Sequence, residues 1–460
     1  MGVCVVAAGV AIGLRSLADN SYLTHLATGR LILDTGSVPS ADPYTFTAHG
    51  TPWVVQSWLA SLLYASVERL AGALGLRLLS GLVAGVLTAL LWRLSRPASP
   101  VLTRLVLVVL CVGVGGELWS ERPFMLGLVA LALVVLAAEG GLDPRWLVPV
   151  GWLWVNTHGS FPLGLAYLGV VAVGRMLDRE PWTLEKRCFG FAALGMLLGG
   201  ISPVGPKLLV FPVELLQKHE LLRNVIEWRA PAFDGLSQRL FLLQLMVAIV
   251  LLARRPSYRG ALVVALFGGA ALLGARNLTV ASLVMVPLLA AAMPPLGTLR
   301  SDARNRFATV VGAVGVVVIM LVAMVRLDQP DFEFGKYPVD AVAFLASSGV
   351  DLEEHPTAAQ DIVGNYLELV YGPGRRVFYD DRFDMFPMDV SDAHLALLQV
   401  RPDLQDRLDD YDIELVIWSR PSAAAQRLIV DPDWRTLYTD ENYVVVCRRG
   451  KDLGGTLGAC

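Results

Sequence analysis

Apolar runs recur along the first two thirds of this 460-residue chain, with one long polar interval near the start and mostly shorter connections after it. After an opening run at 1–14, they fall near 75–92, 105–116, 124–138, 146–156, 161–174, 188–203, 240–253, 260–274, 278–293 and 308–325. One soluble core cannot absorb that much apolar length, so the pattern predicts an α-helical polytopic membrane protein of about eleven spans. The opening run is short for a bilayer that needs ~20 residues, which leads us to expect a start upstream of Met1. Ser16-Leu17-Ala18 resembles a cleavage site, but no basic stretch precedes the run and many spans follow it. An uncleaved first span is therefore expected.

Composition agrees, with 55% hydrophobic and 17% charged residues where soluble domains carry about 25% charged. The net charge of −3 conceals an asymmetry: from Asp328 onward there are 25 acidic and 12 basic residues, and before it 16 acidic and 26 basic. Basic residues such as Arg93, Arg96, Arg175, Arg179, Arg254, Arg255 and Arg300 fall on alternate connections, which assigns that side to the cytoplasm. The chain is thus expected in the plasma (inner) membrane, with two domains. One is a transmembrane domain, 1–326, including an outer loop 19–59. The other is an extracytoplasmic domain, 327–460.

The outer loop, Asp19 to Leu59, is the only long polar interval before the last third of the chain. Asp19 and Asn20 are N-cap types, the apolar spacing from Leu23 to Leu33 is helical, and Gly36 can close that helix. Thr51-Pro52 can open a second helix through Trp58. Asp19, His25 and Gln56 stand out here as polar side chains set among Tyr22, Trp53 and Trp58. Other outward connections carry Glu117, Glu121, Arg122, Asn156, His158, Glu227, Arg229, Arg276 and Asn277. Polar groups at span ends cost desolvation against lipid, so their gathering on one side suggests a shared cavity. Each also has an ordinary reading: Arg122 and Arg276 can snorkel to headgroups, His158 can pack at a helix end, and Glu227 can pair with Arg229 within a loop.

In the last third, TAAQDI, RRVFYD, IELVIWS, WRTLYT and NYVVVCR read as strands among helices near 338–347, 364–372, 392–410 and 421–429, a small mixed α/β domain. It lacks a phosphate-cradling glycine loop and a nucleophile elbow. Asp380, Asp381, Arg382 and Asp384 read as a salt-bridge network more readily than as a cation or sugar site. The five cysteines show no metal spacing, so neither a metal site nor a disulfide framework is expected, although Cys447 and Cys460 could pair if that end is exported. No basic, aromatic-interleaved patch points to nucleic acid.

A carboxylate near the outer membrane surface with arginines among the outward connections suits a lipid-phosphate donor. Guanidinium groups can hold a phosphate leaving group while the carboxylate takes a proton from an acceptor hydroxyl. Asp19 directly after the first span, Asp42-Pro43-Tyr44-Thr45-Phe46-Thr47, Trp53 to Leu59, Trp154 to Gly159, Glu227 to Arg229 and Val377 to Arg382 together carry a family pattern. The chain resembles the GT-C superfamily of polyprenyl-phosphate-sugar-dependent glycosyltransferases over nearly its whole length, most nearly the multi-span bacterial members. The resemblance implies Asp19 as catalytic base, an inverting displacement, no cofactor and no obligatory metal. The implied partners are membrane lipid, a polyprenyl-phosphate sugar and a glycan, glycolipid or protein acceptor of the cell envelope. The sequence departs from the pattern at Ser21, where a second carboxylate is expected, and at Thr24, where an aromatic is. A non-catalytic envelope scaffold and a lipid-linked sugar transporter are the alternative readings.

Overall fold

A computed structural model describes every residue except 117, 219–225 and 296–300, and side chains also excepting 226, 301–308 and 311; Glu117 and Arg300 therefore lie outside the described residues. The chain forms two compact units, one of Met1–Leu17 with Val67–Asp331 and the other of Ala18–Ser66 with Phe332–Cys460.

The first unit is helical. Helix α1 (Gly2–Gly13) packs on Ser301–Leu327, helix Leu147–Thr157 on Thr183–Gly199, and both Leu236–Arg254 and Asn277–Ala292 pack on Val101–Gly115. Small residues permit the closest of these approaches: a Cβ on Gly151 would stand 2.9 Å from the backbone nitrogen of Met196 and 3.0 Å from the carbonyl oxygen of Ala192. Arg77 is buried, donating to the carbonyls of Leu14 (3.0 Å) and Gln329 (3.1 Å) and to the Asp331 carboxylate (2.9 Å). It thereby ties the end of α1 to the chain that leaves Ser301–Leu327.

Leu236–Arg254 buries Phe241, Leu245 and Ala248 but exposes Leu242, Leu243, Met246, Ile249 and Val250. A helix apolar all round requires apolar surroundings on its outer face. Of the eleven spans expected, two helices are long and apolar enough to cross a bilayer among the described residues: Leu236–Arg254 and α3 (Trp58–Leu94), which is broken at Gly72. Seven further apolar helices are shorter. Their ends fall at glycine- and proline-bearing corners that hydropathy averages across.

The second unit is built on a four-stranded sheet of order β1 (Thr357–Ala359), β2 (Leu415–Ser419), β4 (Tyr443–Arg448), β3 (Trp434–Thr439). Strand β1 runs parallel to β2 and the other pairs are antiparallel, with Ile417 opposite Val445. The central strands LVIWS and YVVVCR are almost wholly buried, which is why they read as continuous apolar runs rather than alternating ones. Helix Val339–Ser347 packs on β3 and β4, and Ala423–Val430 on β2, β3 and β4.

Residues 18–66, read from the sequence as a loop of the transmembrane domain, pack with the sheet unit instead. Helix α2 (Asn20–Thr35) closes on Gly36 at φ 68°, as its sequence implies. The expected helix from Thr51 does not form. Trp53 donates to Ser40 O and Asp42 to Thr51 O at 2.9 Å each, so this stretch closes a loop, and Trp58 opens α3. Likewise RRVFYD is not a strand of the sheet. It lies along the loop, with Phe46 N donating to Val377 O (3.0 Å) and Thr47 Oγ1 to Phe378 O (2.6 Å).

Cys447 and Cys460, the pair the sequence left open although no disulfide framework was expected, form a disulfide with 6.2 Å between their Cα atoms. It pins the last residue to β4 across 13 positions. Reduction, or Cys460→Ser, is expected to cost about 2–3 kcal/mol in the second unit. The check is the denaturant midpoint of the full protein, followed by proteolysis of β4; an unchanged midpoint would contradict it.

His394 is buried and stacks on Tyr379 at 4.1 Å, and burial pushes its pKa down to about 4 against the opposing pull of Asp361 and Asp380. Between the unfolded value of about 6.5 and that value the unfolded chain binds the extra proton, so stability falls as pH drops through this window. The loss should reach about 3 kcal/mol below pH 4. His394→Phe, which keeps a stacked ring, should flatten this acid limb in a series of thermal melts.

Candidate functional site

Of the eight residues singled out in the sequence, five belong to the helical unit and three to the sheet unit. In the helical unit four converge. Arg122 pairs with the Glu227 carboxylate, and the backbone N–H of Arg276 donates to Glu227 O at 3.0 Å. The Arg276 guanidinium reaches His158 Nε2 at 3.0 Å and lies over the rings of Phe124 (5.0 Å) and Trp228 (5.9 Å). His158 Nδ1 lies 2.8 Å from Ser160 Oγ and accepts from the Ser160 backbone N–H at 3.1 Å, and Ser160 Oγ accepts from Trp154 Nε1 at 3.1 Å.

Local sequence explains the placement. His158 ends helix Leu147–Thr157 in extended conformation, and Gly159 and Ser160 turn the chain so that the ring faces back toward Phe124. Arg276 precedes helix Asn277–Ala292, and its neighbour Ala275 donates to Arg229 O at 2.9 Å, which docks the IEWR segment against the helix start. Glu227 pairs with Arg122, and the Arg229 side chain is exposed. Glu121, adjacent to Arg122, is buried and faces Arg15 at 3.4 Å. Asn156 donates to Trp152 O of its own helix (2.8 Å) and to Gly199 O at the end of helix Thr183–Gly199 (3.2 Å).

This cluster holds two guanidinium groups, one internal carboxylate and an imidazole among aromatic rings. It can hold a phosphate, because the guanidiniums supply forked donors.

In the sheet unit, Asp19 takes the N-cap position of α2 with extended backbone (φ −77°, ψ 132°), but its side chain makes no cap hydrogen bond. Capping therefore does not account for an acid at this position. His25 Nδ1 lies 3.1 Å from Ser61 Oγ, and Gln56 Nε2 donates to Ser57 Oγ at 2.6 Å. The next two residues of α2 engage an acid that the sequence placed in a salt-bridge network instead: Asn20 Nδ2 and Ser21 Oγ donate to the two oxygens of Asp381 at 3.1 and 2.7 Å.

Beside Asp381, Arg382 is buried in a carboxylate cluster. It forms a bidentate pair with Asp380 (2.9 and 2.6 Å) and stands 2.8 Å from Asp42 and 3.1 Å from Glu368. The rings of Trp53 and Tyr44 flank it at 4.5 and 4.9 Å. Burial opposes the Arg382 charge, but Asp380 and Glu368 outweigh it and raise its pKa. Burial, then repulsion from Asp380, holds Glu368 well above the usual carboxylate range, so three acids share one cation without three full charges. Asp380 and Arg382 of the DDRFD run thus belong to a salt-bridge network, as the composition suggested, while Asp381 accepts from Asn20 and Ser21. Asp42 and Glu368 gave no comparable signal, because their partners lie far away in sequence.

A helical unit followed in sequence by a small mixed-sheet unit is a fold shared with solved oligosaccharyltransferase structures. The chain is similar to the oligosaccharyltransferase of Archaeoglobus fulgidus in its apo form, with a TM-score of 0.56 at 11% identity over 91% of this chain and 69% of that one. It is also similar to the same enzyme tethered through a disulfide to an acceptor peptide containing the NVT sequon, with a TM-score of 0.53 at 11% identity over 91% and 68%. At such identity the likeness concerns the fold. No family model matches the sequence, and no curated protein matches it.

Proposed function

We propose that this protein is a membrane glycosyltransferase that moves a sugar from a polyprenyl-phosphate donor to a cell-envelope acceptor on the outer face, with inversion at the anomeric carbon. The observation that carries the reading is the convergence of Arg122, His158, Glu227 and Arg276 in the helical unit. Arg122 and Arg276 bind the phosphate and stabilise the charge that develops as it leaves. His158 fixes the Arg276 guanidinium, and Arg229, His25 and Gln56 contribute to substrate binding. Asp19 is the base that removes the proton from the acceptor hydroxyl, an assignment favoured by its lack of a capping role. No metal is required in this scheme.

The apolar outer faces of the helices favour residence in the plasma membrane. A disulfide and an excess of acidic residues favour an extracytoplasmic sheet unit. One observation favours a non-catalytic scaffold: Ser21, where the family pattern has an acid, is engaged as a hydrogen-bond donor within the protein.

Mass spectrometry of envelope glycolipids and glycoproteins from a deletion strain tests the proposal. One sugar residue should be missing, wild-type protein should restore it, and the double variant Arg122→Gln/Arg276→Gln should not. An unaltered glycan profile in the deletion strain would overturn the transferase reading in favour of the scaffold.

A further inference from the structure

Asp381 closes a ring of hydrogen bonds onto the first turn of α2. Its carboxylate accepts from Asn20 Nδ2 and Ser21 Oγ. Its backbone N–H donates to Asn365 Oδ1 at 3.1 Å, and Asn365 Nδ2 donates to Asn20 O at 3.2 Å. The next residue, Arg382, is held in the buried cluster with Asp380, Asp42 and Glu368, and Asn365 is itself fully buried. The Asp381 carboxylate therefore stands on fixed backbone and grips the two residues that follow Asp19.

We infer that Asp381 is a positioning residue that fixes Asp19 through Asn20 and Ser21, and that Ser21 is present because it donates to that carboxylate. An acid at position 21 would set a second negative charge against Asp381, whereas a hydroxyl supplies the donor the carboxylate needs. The departure from the family pattern at Ser21 is then a complementary fit within this chain. The inference rests on the proposed role of Asp19 as base, and adds the group that sets its place. Holding a catalytic group within a few tenths of an ångström of its working geometry decides rate more than binding.

The test uses the full-length protein in lipid nanodiscs and two readouts. Hydrogen–deuterium exchange in peptides covering residues 19–27 should accelerate about tenfold in Asp381→Asn, because the amide side chain cannot accept from both donors. The exchanged pair Asn20→Asp/Asp381→Asn should restore protection, since the new amide donates to the new carboxylate and still accepts from Ser21. With a radiolabelled polyprenyl-phosphate hexose as donor probe, Asp381→Asn should lower kcat about ten- to a hundredfold while donor KM stays within about twofold, and the exchanged pair should recover most of it.

Unchanged exchange in Asp381→Asn overturns the inference alone. Recovered protection without recovered kcat overturns it too, because the charge of Asp381 then acts directly. Full transfer by Asp19→Asn instead overturns the base assignment, and the catalytic half of this inference with it, and is told apart by leaving the exchange result standing.

Discussion

Asp19→Asn is expected to lower sugar transfer by about 10²- to 10⁴-fold, the usual contribution of a positioned general base, without unfolding α2. Asn caps a helix about as well as Asp, and the Asp19 side chain makes no cap hydrogen bond to begin with, so the substitution removes basicity without loss of a cap. The measurement is release of polyprenyl phosphate from a labelled donor, read beside the thermal midpoint of the same preparation. Loss of transfer with an unmoved midpoint supports the base. Transfer at the wild-type rate would remove Asp19 from the chemistry, and a shifted midpoint would restore the capping explanation.

Arg382→Met carries the largest expected effect on stability. The guanidinium is the cation at the centre of a buried set of Asp42, Glu368 and Asp380, and its removal leaves those carboxyls facing one another without compensation. Breaking such a buried pair typically costs about 3–5 kcal/mol, so the sheet unit should unfold or become protease-sensitive at ordinary temperature. Both the loop around Asp42 and the first turn of α2 depend on the 380–382 segment, so residues 18–66 should lose protection together with 332–460. Retained protection of both segments would show that the cluster is dispensable.

Glu368→Gln should behave differently. A carboxyl whose folded pKa is raised holds a proton that the unfolded chain has released. Its contribution is fully present below the unfolded value near 4.5 and is lost as pH rises through the folded value. The amide cannot ionise, so the variant should lack the decline in stability that wild type shows as pH rises from about 4.5 through the folded value, read from thermal melts across pH.

Some features were legible because neighbouring residues carry them. The ends of α2 follow from Asn20, the apolar spacing behind it and Gly36. The buried strands β2 and β4 follow from LVIWS and YVVVCR, whose unbroken apolar character reflects burial on both faces. RRVFYD carries an equally convincing local pattern and misleads, because Val377 and Phe378 spend their backbone hydrogen bonds on residues 44–47 rather than on the sheet. The stretch after Thr51 misleads in the same way: cap and proline signals are present, but Trp53 is drawn onto Arg382 and the chain closes a loop.

By itself the sequence determined where the apolar segments lie, which short stretches could be helix or strand, and which polar side chains are too costly to be incidental. Those properties are set within a turn or two of chain, by periodicity and by the price of desolvating a charge. Tertiary structure alone decided that Arg122 meets Glu227, that Arg276 meets His158, that Cys447 bonds Cys460, and that Asn20 and Ser21 close on Asp381. Most of these partners lie more than a hundred residues apart, and a carboxylate will satisfy any donor that packing brings within about 3 Å, so nothing in the local pattern can name its partner.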